Sequence, residues 1–350
     1  MNAARDTFAE RGGRVTLAHG GGGRAMRQLI EGVLLPAMGN PMLAPLEDQA
    51  RISMVELAGL GDQLAFTTDT YVVSPIEFPG GDIGRLAVFG TVNDLAMAGA
   101  KPLYLSCGLV LEEGLEIAVL ERLARSMGRA AREAGVVIVT GDTKVVERGA
   151  ADRVFINTAG VGVVPRGTNI CADRARPGDA LIVNGTLGDH GVAILLARNQ
   201  LALEAQIASD SQPLHGLVAA MLAACPDVHC LRDATRGGFA TVLNEFATAS
   251  NVCIRMREAA LPINNVVRGA CEILGLDPLY LANEGKLAAI VPRAAAEAVL
   301  AAMRAHPAGR ESAIVGEVTA APAGSVILST AFGGDRIVDM LAGEQLPRIC

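Results

Sequence analysis

The chain has no tryptophan, and only three tyrosines and eight phenylalanines in 350 residues. It has no block of basic residues, and its net charge is −7. Nucleic-acid binding needs a positive face and rings to stack on bases, so that class is set aside. No apolar stretch approaches the ~20 residues that span a bilayer. Residues 1–14 are mixed and charged, without the apolar segment of a secretory signal. A cytoplasmic protein is expected, bound to neither membrane nor nucleic acid. The seven cysteines (107, 171, 225, 230, 253, 271 and 350) are odd in number, scattered, and contain no C-x-x-C. That argues against a disulfide framework, a zinc site and a dithiol redox centre. Cys225 and Cys230 are the only close pair, with His229 between them. Free thiols in a reducing compartment fit this pattern. No Gly-x4-Gly-Lys-Ser/Thr phosphate loop occurs anywhere.

What is present is a composition half apolar and under one-fifth charged. This length predicts two compact domains. Val15–Ala18 reads as a short strand running into His19, the glycines Gly20, Gly21, Gly22 and Gly23, and a helix starting near Arg24. A glycine run opening a helix is either a phosphate cradle or a flexible turn. Leu64–Thr68 reads as a strand ending on Asp69. A helix over Ile83–Ala98 carries Asn93-Asp94, a polar pair costly in so apolar a helix unless satisfied. It is either surface-facing or part of a metal or phosphate site. Strands over Lys101–Val110, Val136–Val139 and Val154–Val164 follow, with a helix over Ile117–Ala134 striped by Leu120, Leu123, Met127 and Ala131. The second of these strands ends on Thr140-Gly141-Asp142-Thr143-Lys144. Asp69, Asp94 and Asp142 in one site would repel one another, and a divalent cation removes that penalty.

In the second half, Asp189-His190 opens a helix. It is either a base with its orienting acid or a cap beside a packed imidazole. Leu203–Gln212 reads as a loop or short helix. Asp233-Ala234-Thr235-Arg236-Gly237-Gly238 precedes another helix. That is an anion-binding geometry or an N-cap with a salt-bridged arginine. Glu284, between Asn283 and Gly285 before the strand Leu287–Val291, is a hairpin turn or a positioned carboxylate. The chain ends on a free thiol, Cys350, after Gly343, Pro347 and Arg348. Eight extended residues reach about 26–29 Å, enough to carry that thiol into a pocket.

These stretches together resemble the PurM-like ATP-dependent superfamily and, more narrowly, the HypE family of carbamoyl dehydratases of nickel–iron hydrogenase maturation. The likeness runs through Leu17–Arg24, Thr67–Asp69, Gly90–Met97, Gly141–Val146, Arg232–Gly238, Asn283–Lys286 and the terminal Pro347-Arg348-Ile349-Cys350. Ala234 stands where proline is usual. The resemblance implies an α+β fold of two PurM-like domains. Expected boundaries are a disordered 1–14, an ATP-binding domain at 15–168 that contributes to a dimeric β-barrel, a second αβ domain at 169–335, and a mobile tail at 336–350. It also implies ATP and Mg²⁺ as cofactors, the carbamoyltransferase HypF and an iron-carrying HypC–HypD complex as partners, and a homodimer.

The activity implied is ATP-dependent dehydration of a carbamoyl group on the chain's own Cys350 to a thiocyanate, the source of a cyanide ligand. Cys350, Lys144 and Glu284 are expected in catalysis, and Asp69, Asp94 and Asp142 at the metal. His19, Gly20–Gly23, Asn93, Asp142, Thr143, Asp233, Thr235 and Arg236 are expected at the nucleotide. The terminal carboxylate raises the thiol pKa and Arg348 partly offsets it, which fits a thiol needing a dedicated transferase. Two other readings exist: a PurM-like kinase or synthetase acting on a small molecule, and a non-enzymatic scaffold switched by nucleotide.

Overall fold

The computed structural model describes residues 13–198, 206–341, 343, 346 and 348–350. Expectations for residues 1–12, for 203–205 and for Pro347 lie outside the described residues.

The first domain is an open sheet with helices on one face. Its strands are β1 (Gln63–Tyr71), β4 (Lys101–Glu112), β5 (Val137–Val146) and β6 (Val154–Val164), in the order β1-β6-β4-β5. A short hairpin, β2 (Glu77–Phe78) and β3 (Gly81–Asp82), leads into helix α4 (Ile83–Met97). Asp82 caps α4, its Oδ1 accepting from Gly84 N at 2.8 Å and Arg85 N at 3.0 Å. Helix α4 is buried almost all round. It lies under the sheet, against α5 (Ile117–Ala134), and also reaches the second domain. The expected stripe of α5 is buried, and Gly135 ends the helix at φ +67°.

Before the sheet come α1 (Arg24–Leu29), α2 (Leu35–Met38) and α3 (Met54–Ala58). Val15–Ala18 is not a strand. Leu17–Gly20 forms a 3₁₀ turn, because His19 Nδ1 holds Thr16 N at 2.9 Å and locks the turn. Asp69 and Asp142 do not sit at strand ends either. Both strands continue past them, because one sheet face stays open and accepts polar side chains without breaking the ladder.

The second domain has a seven-stranded sheet, order β13-β12-β9-β11-β7-β10-β8. The strands are β7 (Ala180–Val183), β8 (Cys230–Asp233), β9 (Cys253–Arg257), β10 (Leu287–Val291), β11 (Ala313–Thr319), β12 (Ser325–Ser329) and β13 (Asp335–Ile337). β7 and β10 are buried along their whole length, since helices cover both faces. Phe239, Leu243 and Phe246 of α8 (Gly238–Ser250) fill one side. Leu217 and Met221 of α7 (His215–Ala224) and Val299 and Met303 of α10 (Ala296–Ala305) fill the other. Helices α6 (Asp189–Ala197) and α9 (Asn265–Leu274) pack together at the margin. Among the described residues no helix is long and apolar enough to cross a membrane.

Gly90 of α4 faces the buried Tyr71 ring, and a Cβ there would fall inside the Tyr71 hydroxyl. Gly90→Ala is predicted to cost about 1–3 kcal/mol by overpacking, despite alanine's better helix propensity. Tyr71→Phe in the same chain should recover part of that loss. Denaturant unfolding of the four variants checks this. An unaltered midpoint in Gly90→Ala contradicts the packing described.

Candidate functional site

The tail is seated between the domains. Val72 N donates to a terminal oxygen of Cys350 at 3.1 Å, and Ser74 N donates to Arg348 O at 3.3 Å. These two bonds run residues 348–350 antiparallel to the chain that leaves β1, without extending the sheet, since Arg348 turns at φ +56°. Arg198 clasps both strands, its Nε on Ser74 O and its Nη2 on Arg348 O, each at 2.6 Å. Arg348 reaches back to Val72 O at 3.3 Å and pairs with Asp152. Ile349 is 4% exposed and belongs to the first-domain core. Its carbonyl lies 2.8 Å from His190 Nε2.

This docking puts the Cys350 thiol among acids. Burial, then Glu284, Asp69 and Asp233, push its pKa far above the ordinary thiol value, with Arg236 opposing them. The seated thiol is neutral. The compensating cation is thus Arg236. Arg348, expected in that role, is occupied by Asp152 and the Val72 carbonyl.

Glu284 stands just before β10 and is 3% exposed. Its N–H donates to Asp210 Oδ1 at 3.0 Å. Its own Oε1 has no hydrogen-bond partner. Burial, then Asp210, Asp233 and Asp69, raise its pKa well above the carboxylate range. Below it, Lys286 Nζ lies 3.3 Å from Asp210 Oδ2, a buried ion pair. Asn93 holds this loop. Its Oδ1 accepts from Leu214 N at 2.8 Å, and its Nδ2 faces Gln212 O at 3.1 Å and Glu284 O at 3.4 Å. Both amide hydrogens are engaged, so Asn93 fastens α4 to the Glu284 loop and has no donor left for a phosphate.

Asp94, beside it, accepts from Thr67 Oγ1 at 2.9 Å and turns toward Asp69 and Asp233. Burial first, then Asp69, raises Asp94 to about 6. Burial, then Asp94, raises Asp233 to about 7. Arg236 Nη2 lies 3.9 Å from Asp69 Oδ1, its side chain largely in solvent. Thr235 and Arg236 sit on the loop closed by Gly237 and Gly238, at φ +75° and +62°. A Cβ at Gly238 would strike the carbonyls of Leu279 and Leu281.

The remaining expected residues lie elsewhere. Asp142, Thr143 and Lys144 are on β5, at the opposite sheet edge from Asp69. Three strand spacings separate those edges, about 14 Å. Asp142 and Lys144 pair with each other at 2.9 Å in solvent, and that pairing lowers the Asp142 pKa. His19 and Gly20 pack on this side, Gly20 against Val145 N. Gly23 caps α1. Nearby, a cavity of about 110 Å³ is walled by Met26, Ile30, Leu34, Cys107 and Leu109, with Asp142 and Thr143 at its edge. Within one chain, therefore, Asp142 cannot share an ion with Asp69 and Asp94, nor can Lys144 meet Glu284. Asp233 is the third carboxylate instead. Among the described residues no three metal-type side chains close on one point.

The Asp189-His190 pair also separates, Asp189 turning to Thr186 and His190 to Ser209. Sequence reading missed Arg198, Asp210 and Lys286. Lys286 lies in the Asn283–Lys286 stretch but had no role assigned, Arg198 and Asp210 carry no local pattern, and each acquires meaning only through its spatial partner.

A two-domain fold with an acidic cleft between the domains defines a class. Residues 47–164 match the AIR synthase related protein N-terminal domain, and residues 176–329 match its C-terminal domain. Carbamoyl dehydratase HypE of Rhodobacter capsulatus is 58% identical over 343 residues, 98% of this chain and 100% of that protein. A crystal structure of the hydrogenase maturation protein HypE in complex with ATP superimposes with a TM-score of 0.90 at 52% identity. The match covers 95% of this chain and 99% of that one. A HypE–HypF complex matches with a TM-score of 0.77 at 44% identity, covering 89% and 99%. The chain belongs to the AIR synthase related, PurM-like family and, within it, to the HypE carbamoyl dehydratases.

Asp233 holds its proton up to about 7, against about 3.9 in an unfolded chain. A carboxyl raised on folding favours the folded state fully below its unfolded value and loses that contribution as pH climbs through the folded one. Asp233→Asn is predicted to raise the thermal midpoint at pH 8 in chelator, the gain shrinking as pH falls and vanishing near pH 4. Equal gains at both pH values contradict the burial and repulsion described.

Proposed function

We propose that this chain uses ATP to dehydrate a carbamoyl group carried on its own Cys350, leaving a thiocyanate for hydrogenase assembly. One observation carries the reading: the last residue is docked beside Glu284, with its thiol turned into the acidic cleft. A tethered substrate needs this placement, and an ordinary chain end does not.

The carboxamide oxygen of the S-carbamoyl group attacks the γ-phosphorus of ATP and ADP leaves. Phosphorylation converts a poor leaving group into a good one. Phosphate then departs as the C–N bond becomes triple, and nitrogen gives up two protons in all. Glu284 is assigned to accept one of them when ionised, its raised pKa making it the stronger base in that form and its unpartnered Oε1 leaving it a free acceptor. Arg236, in solvent at the cleft mouth, suits a phosphate oxygen. Asp69, Asp94 and Asp233 line one cleft without closing on a single point, and as hard carboxylates that repel one another they are the groups that would hold a Mg²⁺ arriving with the nucleotide. Bound there with the nucleotide, Mg²⁺ would neutralise phosphate charge.

A homodimer is part of this proposal. The open sheet face carries Leu64 and Phe66, both exposed, beside half-buried Tyr104, Phe155 and Val161. A second copy covering that face as a barrel would bury them. It could also supply Lys144, Asp142, Thr143, His19 and the Gly20–Gly23 turn to a site they cannot reach within one chain. Loading of the carbamoyl group is assigned to a HypF-type transferase, acting on the tail undocked because the docked thiol is neutral and buried. Delivery to a HypC–HypD scaffold in the cytoplasm completes the assignment.

With transferase, carbamoyl phosphate and ATP supplied, Cys350→Ala is predicted to abolish the ADP release that depends on this chain. Glu284→Gln should slow it about 10²–10⁴-fold. Coupled ADP assays check this, and full turnover in Cys350→Ala overturns the reading.

A further inference from the structure

His190 stands between two acceptors. The ring is fully buried at the start of α6, edge-on to Phe78 at 5.6 Å and 85°. Its Nδ1 lies 2.8 Å from Ser209 Oγ, and its Nε2 lies 2.8 Å from Ile349 O and 4.0 Å from Glu284 Oε1. A carbonyl oxygen can only accept, so Nε2 bears the proton. Ser209 Oγ already accepts from Ser211 N at 3.2 Å, which leaves its hydroxyl hydrogen for Nδ1. Burial lowers the imidazole pKa and holds it in this neutral tautomer. One N–H therefore serves the tail, and Glu284 Oε1 is left buried without a donor. Such an orphan is costly unless another group is meant to meet it.

We propose that His190 is the positioning residue that couples docking of the tail to the release of Glu284. With the tail seated, the Ile349 carbonyl takes the Nε2 proton's hydrogen bond, and Glu284 Oε1 is open to the carboxamide nitrogen on the neighbouring sulfur. With the tail away, a shift of about 1 Å brings the same N–H into hydrogen-bond range of Glu284 Oε1. That oxygen is then satisfied and withdrawn between turnovers. Because His190 reads a backbone carbonyl, it senses that residue 349 has arrived, whatever its side chain. Arg348 and Ile349 are read separately, by Asp152 and by the core. The inference rests on Cys350 being the substrate carrier, and it adds how the site registers that the carrier is in place.

The test uses the full chain and two readouts on the C-terminal peptide, both by mass spectrometry. One is the rate of alkylation of Cys350 by iodoacetamide, which separates it from exposed Cys171. The other is the single-turnover conversion of carbamoyl to cyano adduct, per loaded chain. His190→Ala is expected to speed alkylation and slow dehydration, each by roughly 5–150-fold, the range of one lost hydrogen bond. His190→Gln, whose amide N–H occupies nearly the Nε2 position, is expected to restore most of both. Unchanged rates in His190→Ala overturn the proposal. So does equal damage in Ala and Gln accompanied by a lower melting temperature, which marks a merely structural ring. If the wild-type chain never carries an adduct on Cys350, the carrier reading fails instead, and the alkylation rates still decide whether His190 holds the tail.

Discussion

The site depends on two backbone hydrogen bonds, from Val72 and Ser74 to the final residues of the same chain. They fix the register of the tail, and register fixes which atom enters the cleft. A slip of one residue would unseat the Ile349 side chain from the core and move the thiol from its place beside Glu284. Arg348 and Ile349 guard against that slip, one by an ion pair to Asp152 and one by burial in the core. Docking thus combines a generic backbone ladder with two side chains that select this tail.

The second constraint is charge. Asp69, Asp94, Asp233, Glu284 and Asp210 converge from two domains, and Lys286, Arg232 and Arg236 are cations that act on them. Lys286 is committed to Asp210 beneath the site. The excess negative charge keeps the thiol protonated and raises the nearby carboxyls. A cleft so disposed against a thiolate is poor at loading sulfur and well set to accept protons from a group already on it. This division of labour is why a separate transferase enters the account.

Much of this was legible from residues alone. Helix α5 and the strands β6 and β10 fall at their expected bounds, because periodicity or a continuous apolar run marks them. Asp69, Asp94, Asp233, Arg236 and Cys350 were singled out from their local patterns and Glu284 through the family resemblance, and all line one cleft. What was not legible is which acids share a cleft. Asp142 resembles Asp69 locally, both beside threonines on a strand, yet the order β1-β6-β4-β5 puts them at opposite edges. Asn93 looked like a ligand beside Asp94, but neighbours on a helix point about 100° apart, and one turned inward to the Glu284 loop. His190 was read either as a base oriented by Asp189 or as a packed imidazole, and it is packed, edge-on to Phe78. Its true partner is 159 residues away, a contact no local pattern encodes.

The central claim is that Cys350 is a substrate carrier visiting its own chain's ATP site. Intact-mass analysis of the chain with a HypF-type transferase, carbamoyl phosphate and ATP tests it most directly. The account predicts one added carbamoyl group mapping to Cys350, followed by loss of one water equivalent only when ATP is hydrolysable. A C-terminal peptide that stays unmodified, or an adduct on any other residue, contradicts it.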